Sequence, residues 1–305
     1  MDIIWTILRQ ILQMFLLAGI GYWLYRSGKI SRDGSKALGN ILIYGALPAV
    51  IISSFQVERI GEHMLGILYS AAAAILLLLL SIGVSWLFFR KDAIASFAAA
   101  FSNPGFFGIP LIAASVGAGS VFYVACFIAF LNIGQWTYGV SRITGLPLRD
   151  GFRLKKLIRA PFMIAILCGL FLFLTQLKLP AALGGCLTAV AGLNTPLAMF
   201  TVGIYLAQTD IRKMVGRASL YQVSLVRLVI IPVLSLLLLT LVPESLHNMK
   251  MALLLAVSCP VGSNVAVYAQ LHDRDYPYAV ETVVISTLLS ILTMPAMAWL
   301  ASVLW

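Results

Sequence analysis

Apolar residues follow one another along this chain in long, nearly continuous runs, without the strict alternation that half-buried strands show. A transmembrane helix needs about 20 mainly apolar residues to cross the hydrocarbon layer of a bilayer. Windows of about this length predict ten spans, at approximately 4–25, 37–55, 65–89, 94–117, 120–141, 158–177, 184–206, 218–242, 248–270 and 277–304. The expected fold is an all-α integral membrane protein with ten transmembrane helices.

The composition agrees with this pattern and excludes several classes of function. Of the 305 residues, 61% are hydrophobic and only 10% are charged, whereas soluble domains carry about 25% charged residues. Ten spans leave no room for a soluble catalytic, nucleotide-binding or nucleic-acid-binding domain. The four cysteines lie inside apolar segments without metal-ligand spacing. We therefore expect neither an enzyme nor a metal or other cofactor, and no nucleic-acid partner.

The basic residues predict the orientation in the membrane. Sixteen of the 21 Lys and Arg lie on alternate connections, and only three lie on the opposite set. Cytoplasmic loops carry the excess of Lys and Arg. The richer set should therefore face the cytoplasm, and both termini should lie outside it, in a multi-pass protein of the cell (inner) membrane.

The longest basic connection divides the chain into two similar halves. Residues 1–141 and 158–305 each hold five predicted spans, and 142–157 connects them. An odd number of spans in each half makes the halves enter the membrane in opposite senses. Pro48 and Pro196 occur in similar segments of spans 2 and 7, and Pro104 and Pro260 in similar segments of spans 4 and 9. This arrangement predicts a five-plus-five inverted repeat, which is typical of secondary transporters.

Spans 4 and 9 contain residues that interrupt helices. Proline lacks a backbone donor and clashes with the preceding turn, and glycine removes the side-chain restraint on the backbone. A kinked but continuous helix is one interpretation, and a true break is the one that the density of such residues favours. In span 4 the residues are Ser102, Asn103, Pro104, Gly105, Gly108 and Pro110; in span 9 they are Cys259, Pro260, Val261, Gly262, Ser263 and Asn264.

Two such breaks would form a site for an anion. The half-helices that begin near Gly105 and Val261 would each point the positive end of a helix dipole at the membrane centre. Because the two halves run in opposite directions, the broken helices can cross and present both amide ends to one ligand. Ser102, Asn103, Ser263 and Asn264 would add uncharged donors and acceptors.

Several segments together resemble the auxin efflux carrier family in its short bacterial form. They are GYWLYRSGKIS after span 1, LPAVIISSF in span 2, SNPGFFGIPL in span 4, TPLAMFTVGIYLA in span 7, CPVGSNVAVYAQ in span 9 and STLLSILTMP in span 10. They cover nearly the whole chain in the order of the family. SNPGFFGIPL is the most specific of them.

The resemblance implies a fold similar to bile-acid sodium symporters and sodium–proton antiporters, with crossed, broken spans 4 and 9. Spans 1, 2, 6 and 7 would form a scaffold, spans 3–5 and 8–10 a mobile, elevator-type transport unit, and two copies a homodimer. The family's substrates are small organic anions such as auxin, malonate and malate. By position, Asn103, Pro104, Pro260 and Asn264 would take the roles at the crossing.

Charged and polar residues within the spans allow more than one interpretation. Arg227, about 15 Å deep at 1.5 Å per residue, could be the counter-ion of a substrate carboxylate, cap the carbonyls of a broken helix or pair with Glu281. Glu281 itself could reach the cytoplasmic surface or serve as a proton site. Asn132, Gln135 and Tyr138 form a polar patch on span 5 that could bond neighbouring helices or line a cavity.

Secondary transport of small organic anions is thus the expected function. A sodium- or proton-coupled symporter of the same fold is the nearest alternative, although spans 4 and 9 contain no Asp or Glu near the breaks. An intramembrane enzyme would need acidic pairs for Mg²⁺ or a catalytic dyad, and a receptor would not need an inverted repeat. We expect Ser102, Asn103, Pro104, Gly105, Pro260, Ser263, Asn264, Arg227, Asn132 and Tyr138 to bind substrate, and Pro48, Gly108, Pro110, Pro196 and Gly262 to shape the helices.

Overall fold

The computed structural model describes residues 2–58, 61–147 and 158–305, and within these ranges the only extended pairing is one isolated bridge. All regular elements there are helices. We number them α1 Asp2–Arg26, α2 Arg32–Ser54, α3 Gly61–Phe88, α4 Ala93–Ala100, α5 Pro104–Ser115, α6 Ala118–Thr144, α7 Pro161–Thr175, α8 Ala181–Gln208, α9 Ile211–Val215, α10 Ala218–Leu239, α11 His247–Ser258, α12 Asn264–Leu271 and α13 Tyr276–Leu304.

Seven of these helices are long and apolar enough to cross a membrane: α1, α2, α3, α6, α8, α10 and α13. They correspond to predicted spans 1, 2, 3, 5, 7, 8 and 10. Span 6 corresponds to the shorter helix α7, span 4 to α4 and α5, and span 9 to α11 and α12. The all-helical fold and the multi-pass membrane character are therefore confirmed. The count of ten spans and the inverted repeat stay predictions, and the part of the basic connection at 148–157 lies outside the described residues.

Widened π-helical turns interrupt four of the helices, at Leu42–Ala46, Pro104–Gly108, Gln135–Gly139 and Val226–Ile230. In α2, α5 and α10 the turn ends two residues before a proline, which is Pro48, Pro110 or Pro232 respectively. Proline cannot donate the regular helical hydrogen bond, and its ring collides with the preceding turn. A wider turn relieves that collision without ending the helix. The proline positions thus explain three of the four irregular turns.

The interior of the protein is built around the short helices. Seven consecutive residues of α4, from Ile94 to Ala100, are buried, and so are all residues of α11 from Met249 to Ser258. By contrast, the first segment of α8, Ala181–Ala191, has no buried residue. Large apolar side chains such as Leu16 and Trp5 are exposed on the outer helices, as a bilayer requires. The long helices therefore surround a core that contains the short helices α4 and α11.

Candidate functional site

The two helix interruptions lie against each other in the interior. Helix α4 ends before residues 101–103, helix α11 ends before residues 259–263, and Ser102 forms an antiparallel bridge with Val261. Both interruptions fall within the proline-containing motifs that predicted them. Helix α12 begins at Asn264 rather than near Val261, because Val261 is held in the extended bridge. We call residues 101–105 and 259–264 the paired interruption.

Backbone hydrogen bonds join the two sides of the paired interruption. The Asn103 N–H donates to the Pro260 carbonyl at 3.0 Å, and the Gly262 N–H donates to the Phe101 carbonyl at 2.9 Å. A Cβ atom on Gly262 would lie 2.9 Å from the backbone oxygen of Ser102. Glycine is therefore required there for close approach. In this way each break satisfies backbone groups of the other, which lipid could not do.

A small cavity of about 40 Å³ opens at the paired interruption. Polar and backbone groups come from both breaks and from α6, and apolar side chains close the remaining sides. The lining residues are Leu47, Ser102, Asn103, Pro104, Gly105, Phe106, Ile128, Leu131, Asn132, Gln135, Gly262, Ser263 and Asn264. Since one water needs roughly 10–15 Å³, the cavity has room for a few waters and is closed to a larger ligand.

The polar groups of this cavity are uncharged and incompletely paired. Asn264 donates from Nδ2 to Oε1 of Gln135 at 2.7 Å, and Asn132 donates to the Ile128 carbonyl of its own helix at 2.8 Å. The Ser102 hydroxyl is buried and has no hydrogen-bond partner among the described residues. None of the described residues that line the cavity is acidic. The cavity thus offers donors without a fixed negative charge, which suits an anion.

The helix dipoles reinforce this preference. The first residues of α5 and of α12 line the cavity. Each helix N-terminus carries the equivalent of roughly half a positive charge. Two such ends at one cavity attract an anion even without a Lys or Arg side chain.

Arg227 lies outside the cavity, at the C-terminal ends of α4 and α11 that border the paired interruption. Its guanidinium is completely buried and donates to the carbonyls of Ala99 at 3.0 Å, of Ala100 at 3.1 Å and of Val257. These carbonyls belong to the last residues of α4 and α11. The C-terminal ends of two helices together carry roughly one negative charge, which the guanidinium balances. Arg227 does not line the cavity, and its described contacts match the carbonyl-capping interpretation.

Glu281 pairs with a different arginine, Arg217, at the start of α10. The distance between Arg217 Nη1 and Glu281 Oε2 is 3.0 Å, and Asp275 Oδ2 lies 3.6 Å from Arg217 Nη2. Partial burial lowers the pKa of the Arg217 guanidinium, but the hydrogen bond and charge of Glu281, with the charge of Asp275, raise it above its ordinary value. The cluster therefore joins α10 to α13 as an ion pair, at a distance from the cavity.

Some residues singled out from the sequence shape the site without lining its cavity. The Tyr138 hydroxyl lies 3.1 Å from the Ser96 hydroxyl, which joins α6 to α4. A Cβ on Gly108 would come within 2.9 Å of the Cys259 sulfur, so Gly108 allows α5 to approach the second break. Pro110, Pro48 and Pro196 lie near the starts of the helical segments Ile109–Ser115, Leu47–Ser54 and Asn194–Gln208.

Two side chains make hydrogen bonds at the cavity that the sequence pattern did not predict. Gln135 is 1% exposed and accepts the hydrogen bond from Asn264, so it is part of the cavity and not only of a polar patch. Asn194, which no motif singled out, donates from Nδ2 to the Gly105 carbonyl at 3.1 Å. Its position two residues before Pro196, directly before the segment that resembles part of span 2, was the available signal.

A larger cavity of about 750 Å³ lies between α2, α7 and α8. Its lining is almost wholly apolar and includes Pro48, Leu167, Phe171 and Leu183. A carboxylate there would lose its hydration without gaining hydrogen bonds, which is costly. Size alone therefore does not make it the candidate site.

Comparison with known proteins identifies the family of this chain. A family model described as "Membrane transport protein" matches residues 6–146 and 150–298. A protein of Rhizobium meliloti (strain 1021) named "Putative malonate transporter" is 25% identical over 308 aligned positions, which cover 95% of this chain and 94% of the relative. An "Uncharacterized transporter" of Methanothermobacter thermautotrophicus (strain Delta H) is 26% identical over 299 positions, covering 93% and 95%. Because the family model covers nearly the whole chain, the protein is a membrane transporter, not an enzyme, and belongs to the auxin efflux carrier-type family of membrane transport proteins.

Proposed function

We propose that this transporter carries small organic anions, of the size of malonate or malate, across the inner membrane by elevator-type alternating access. The observation that carries the proposal is the cavity at the paired interruption. Two helix N-termini and the side chains of Ser102, Asn103 and Asn264 meet there without an acidic residue among the lining. The name of the Rhizobium relative supports a dicarboxylate such as malonate as the first substrate to test.

The proposed architecture follows the inverted repeat of the sequence. Helices α1, α2, α7 and α8 form the scaffold, and α3–α6 with α10–α13 form the transport unit. Ten spans, with α4–α5 and α11–α12 as the two broken ones, place both termini outside the cytoplasm. Two copies associate as a homodimer. The small volume of the cavity corresponds to a closed conformation, so substrate entry requires the transport unit to move relative to the scaffold.

Coupling to sodium or protons is the alternative mechanism within the same fold. Coupling cations usually need carboxylate ligands, and the described lining of the cavity supplies none. Carbonyls and hydroxyls could still hold a sodium ion. Malonate uptake into proteoliposomes distinguishes these mechanisms. Replacing sodium with choline abolishes uptake by a sodium symporter, removing the pH gradient abolishes concentrative uptake by a proton symporter, and neither change stops an uncoupled carrier.

Ligand binding to the purified protein tests the proposal directly. A ligand that binds only the folded state raises the melting temperature, so malonate should stabilise the protein in detergent while chloride at equal ionic strength should not. Losing one hydrogen bond to a charged ligand costs about 1.5–3 kcal/mol, which is roughly ten- to 150-fold in affinity. Asn103→Ala and Asn264→Ala should each weaken malonate binding by such a factor.

The matched control is Asn40→Ala, which removes an exposed asparagine of α2. It should bind malonate as the unaltered protein does. Unchanged affinity in both Asn103→Ala and Asn264→Ala would show that the anion binds elsewhere. Failure of malonate, malate and other small carboxylates to stabilise the unaltered protein would contradict the substrate class.

A further inference from the structure

The carbonyl of Gly105, at the cavity, lacks the backbone donor that its turn would supply. In the π-helical turn Pro104–Gly108, the Phe107 N–H donates to the Asn103 carbonyl at 3.1 Å. The following two N–H groups each donate to the carbonyl five residues earlier: Gly108 to Asn103 at 3.2 Å, and Ile109 to Pro104. The next donor in this series would come from residue 110, which is a proline and has no N–H. The sequence of α5 itself thus removes the regular donor for Gly105.

A side chain from a distant helix supplies this donor. Asn194 Nδ2 lies 3.1 Å from the Gly105 carbonyl oxygen, and Asn194 is only 2% exposed. Asn194 is the first residue of the second segment of α8, directly after the irregular residues Gly192 and Leu193. Its other amide atom, Oδ1, has no hydrogen-bond partner among the described residues. The amide therefore makes a single identified bond, and that bond is to the edge of the cavity.

This hydrogen bond joins the proposed scaffold to the proposed transport unit, two parts of the molecule that move relative to each other in the proposed function. α8 packs closely on α1 through Gly203, where a Cβ would meet the Ala18 carbonyl oxygen at 1.9 Å. Both helices belong to the proposed scaffold, whereas Gly105 belongs to the proposed transport unit. When the transport unit moves, the Asn194–Gly105 bond must break, and water can then reach the Gly105 carbonyl.

We propose that Asn194 is a positioning residue that locks the paired interruption in its closed conformation. The proposal rests on the proposed function, because it assumes that α5 moves relative to α8. The bond exists in the closed state and is replaced by hydration in the open state, so it shifts the population toward the closed state. One neutral hydrogen bond corresponds to roughly a three- to tenfold shift. The apparent affinity for a ligand that binds only the open state is lowered by the same factor.

The rate of thiol labelling measures how readily the closed conformation opens, and the measurement needs no substrate. Leu47 lines the cavity from α2, and its Cδ1 would be 3.2 Å from a Cβ on Gly105. A Leu47→Cys reporter, in a chain whose four native cysteines are replaced by alanine, reacts only when α5 moves away. Asn194→Leu keeps a similar shape but cannot donate. We expect it to raise the labelling rate by a methanethiosulfonate reagent about three- to tenfold, and to tighten malonate binding by a similar factor.

Pro110→Ala provides the matched control. Alanine at 110 offers the missing N–H to the Gly105 carbonyl, so the lock should weaken and Asn194→Leu should add less than about twofold on this background. In the double variant Asn194→Leu/Pro110→Ala, the backbone N–H of residue 110 can donate to the Gly105 carbonyl. This variant therefore stays informative if Asn194→Leu alone does not fold. Two results would contradict the proposed role of Asn194. One is an effect of Asn194→Leu on the labelling rate that persists in full on the Pro110→Ala background. The other is a labelling rate that stays unchanged in both single variants. Failure of malonate to bind the unaltered protein contradicts only the proposed function, since the labelling rates do not depend on it.

Discussion

At the scale of single residues, a buried arginine shows how the broken helices are held together. Arg227 has no acidic partner among its described contacts and instead donates to three carbonyls at the ends of α4 and α11. A buried carbonyl without a hydrogen-bond donor is costly. These contacts favour a role in stabilising the fold of the paired interruption over a role as the counter-ion of the ligand.

Arg227→Gln should consequently lower stability more than affinity. A buried polar group without a partner costs about 1–3 kcal/mol, so losing donors to three carbonyls should reduce the free energy of unfolding by roughly 3 kcal/mol or more. Arg227→Lys should lose less, because it keeps the charge but not the forked geometry. Thermal unfolding in detergent measures the first effect, and malonate titration of the folded fraction measures the second.

Lys36→Gln is the control for this comparison. Lys36 and its partner Asp33 are 64% and 91% exposed in their side chains, and an exposed ion pair contributes less than about 1 kcal/mol. A stable Arg227→Gln protein with strongly weakened malonate binding would favour the counter-ion interpretation instead.

At the scale of helices, glycines determine how closely two of the long helices can cross. A Cβ on Gly203 of α8 would lie 1.9 Å from the Ala18 carbonyl oxygen of α1, and a Cβ on Gly21 of α1 would lie 2.5 Å from the backbone of Phe200. The neighbouring atoms belong to the backbone, so a rotamer change cannot make room. Small residues that allow close helix contact are the usual basis of packing in membranes.

Gly203→Ala should therefore push α1 and α8 apart. Overpacking of a close contact typically costs about 1–3 kcal/mol, which should appear as a lower melting temperature in detergent. Gly185→Ala is the matched control on the same helix, since a Cβ there meets no atom within 4 Å. Equal melting temperatures for the two variants would show that the close contact of α1 and α8 does not contribute to stability.

At the scale of the whole molecule, the distribution of Lys and Arg predicts which ends of the helices face the cytoplasm. The prediction concerns exposed positions on both sides. Asp33, at the start of α2, is 91% exposed in its side chain, and Lys178, between α7 and α8, is also exposed. In a cysteine-free chain, Asp33→Cys should resist membrane-impermeant thiol reagents in intact cells, and Lys178→Cys should react.

Permeabilised cells serve as the control, because both cysteines should then react. The opposite pattern in intact cells would reverse the orientation. A reaction of both positions in intact cells would place them on the same side, which would contradict the proposed arrangement of the first seven spans. Only the same-side result would also contradict the inverted repeat, because a reversed orientation leaves the two halves opposite to each other.

The sequence by itself determined the features that depend on neighbouring residues. Hydropathy located the long helices, because membrane insertion responds to about 20 consecutive residues. Pro104 and Pro260 located the two interruptions, because a missing N–H acts on the preceding turn of the same chain. The family resemblance rested on local motifs for the same reason.

Only the tertiary structure decided which polar groups meet. The contacts of Asn194 with Gly105 and of Gln135 with Asn264 join residues 89 and 129 positions apart, and Arg227 reaches α4 across 128 and 127 positions. From the sequence, Arg227 could serve an anion, cap carbonyls or pair with Glu281, because depth in the membrane does not specify which group a side chain faces. Hydrogen bonds act over about 3 Å, so their partners are set by the packing of the helices.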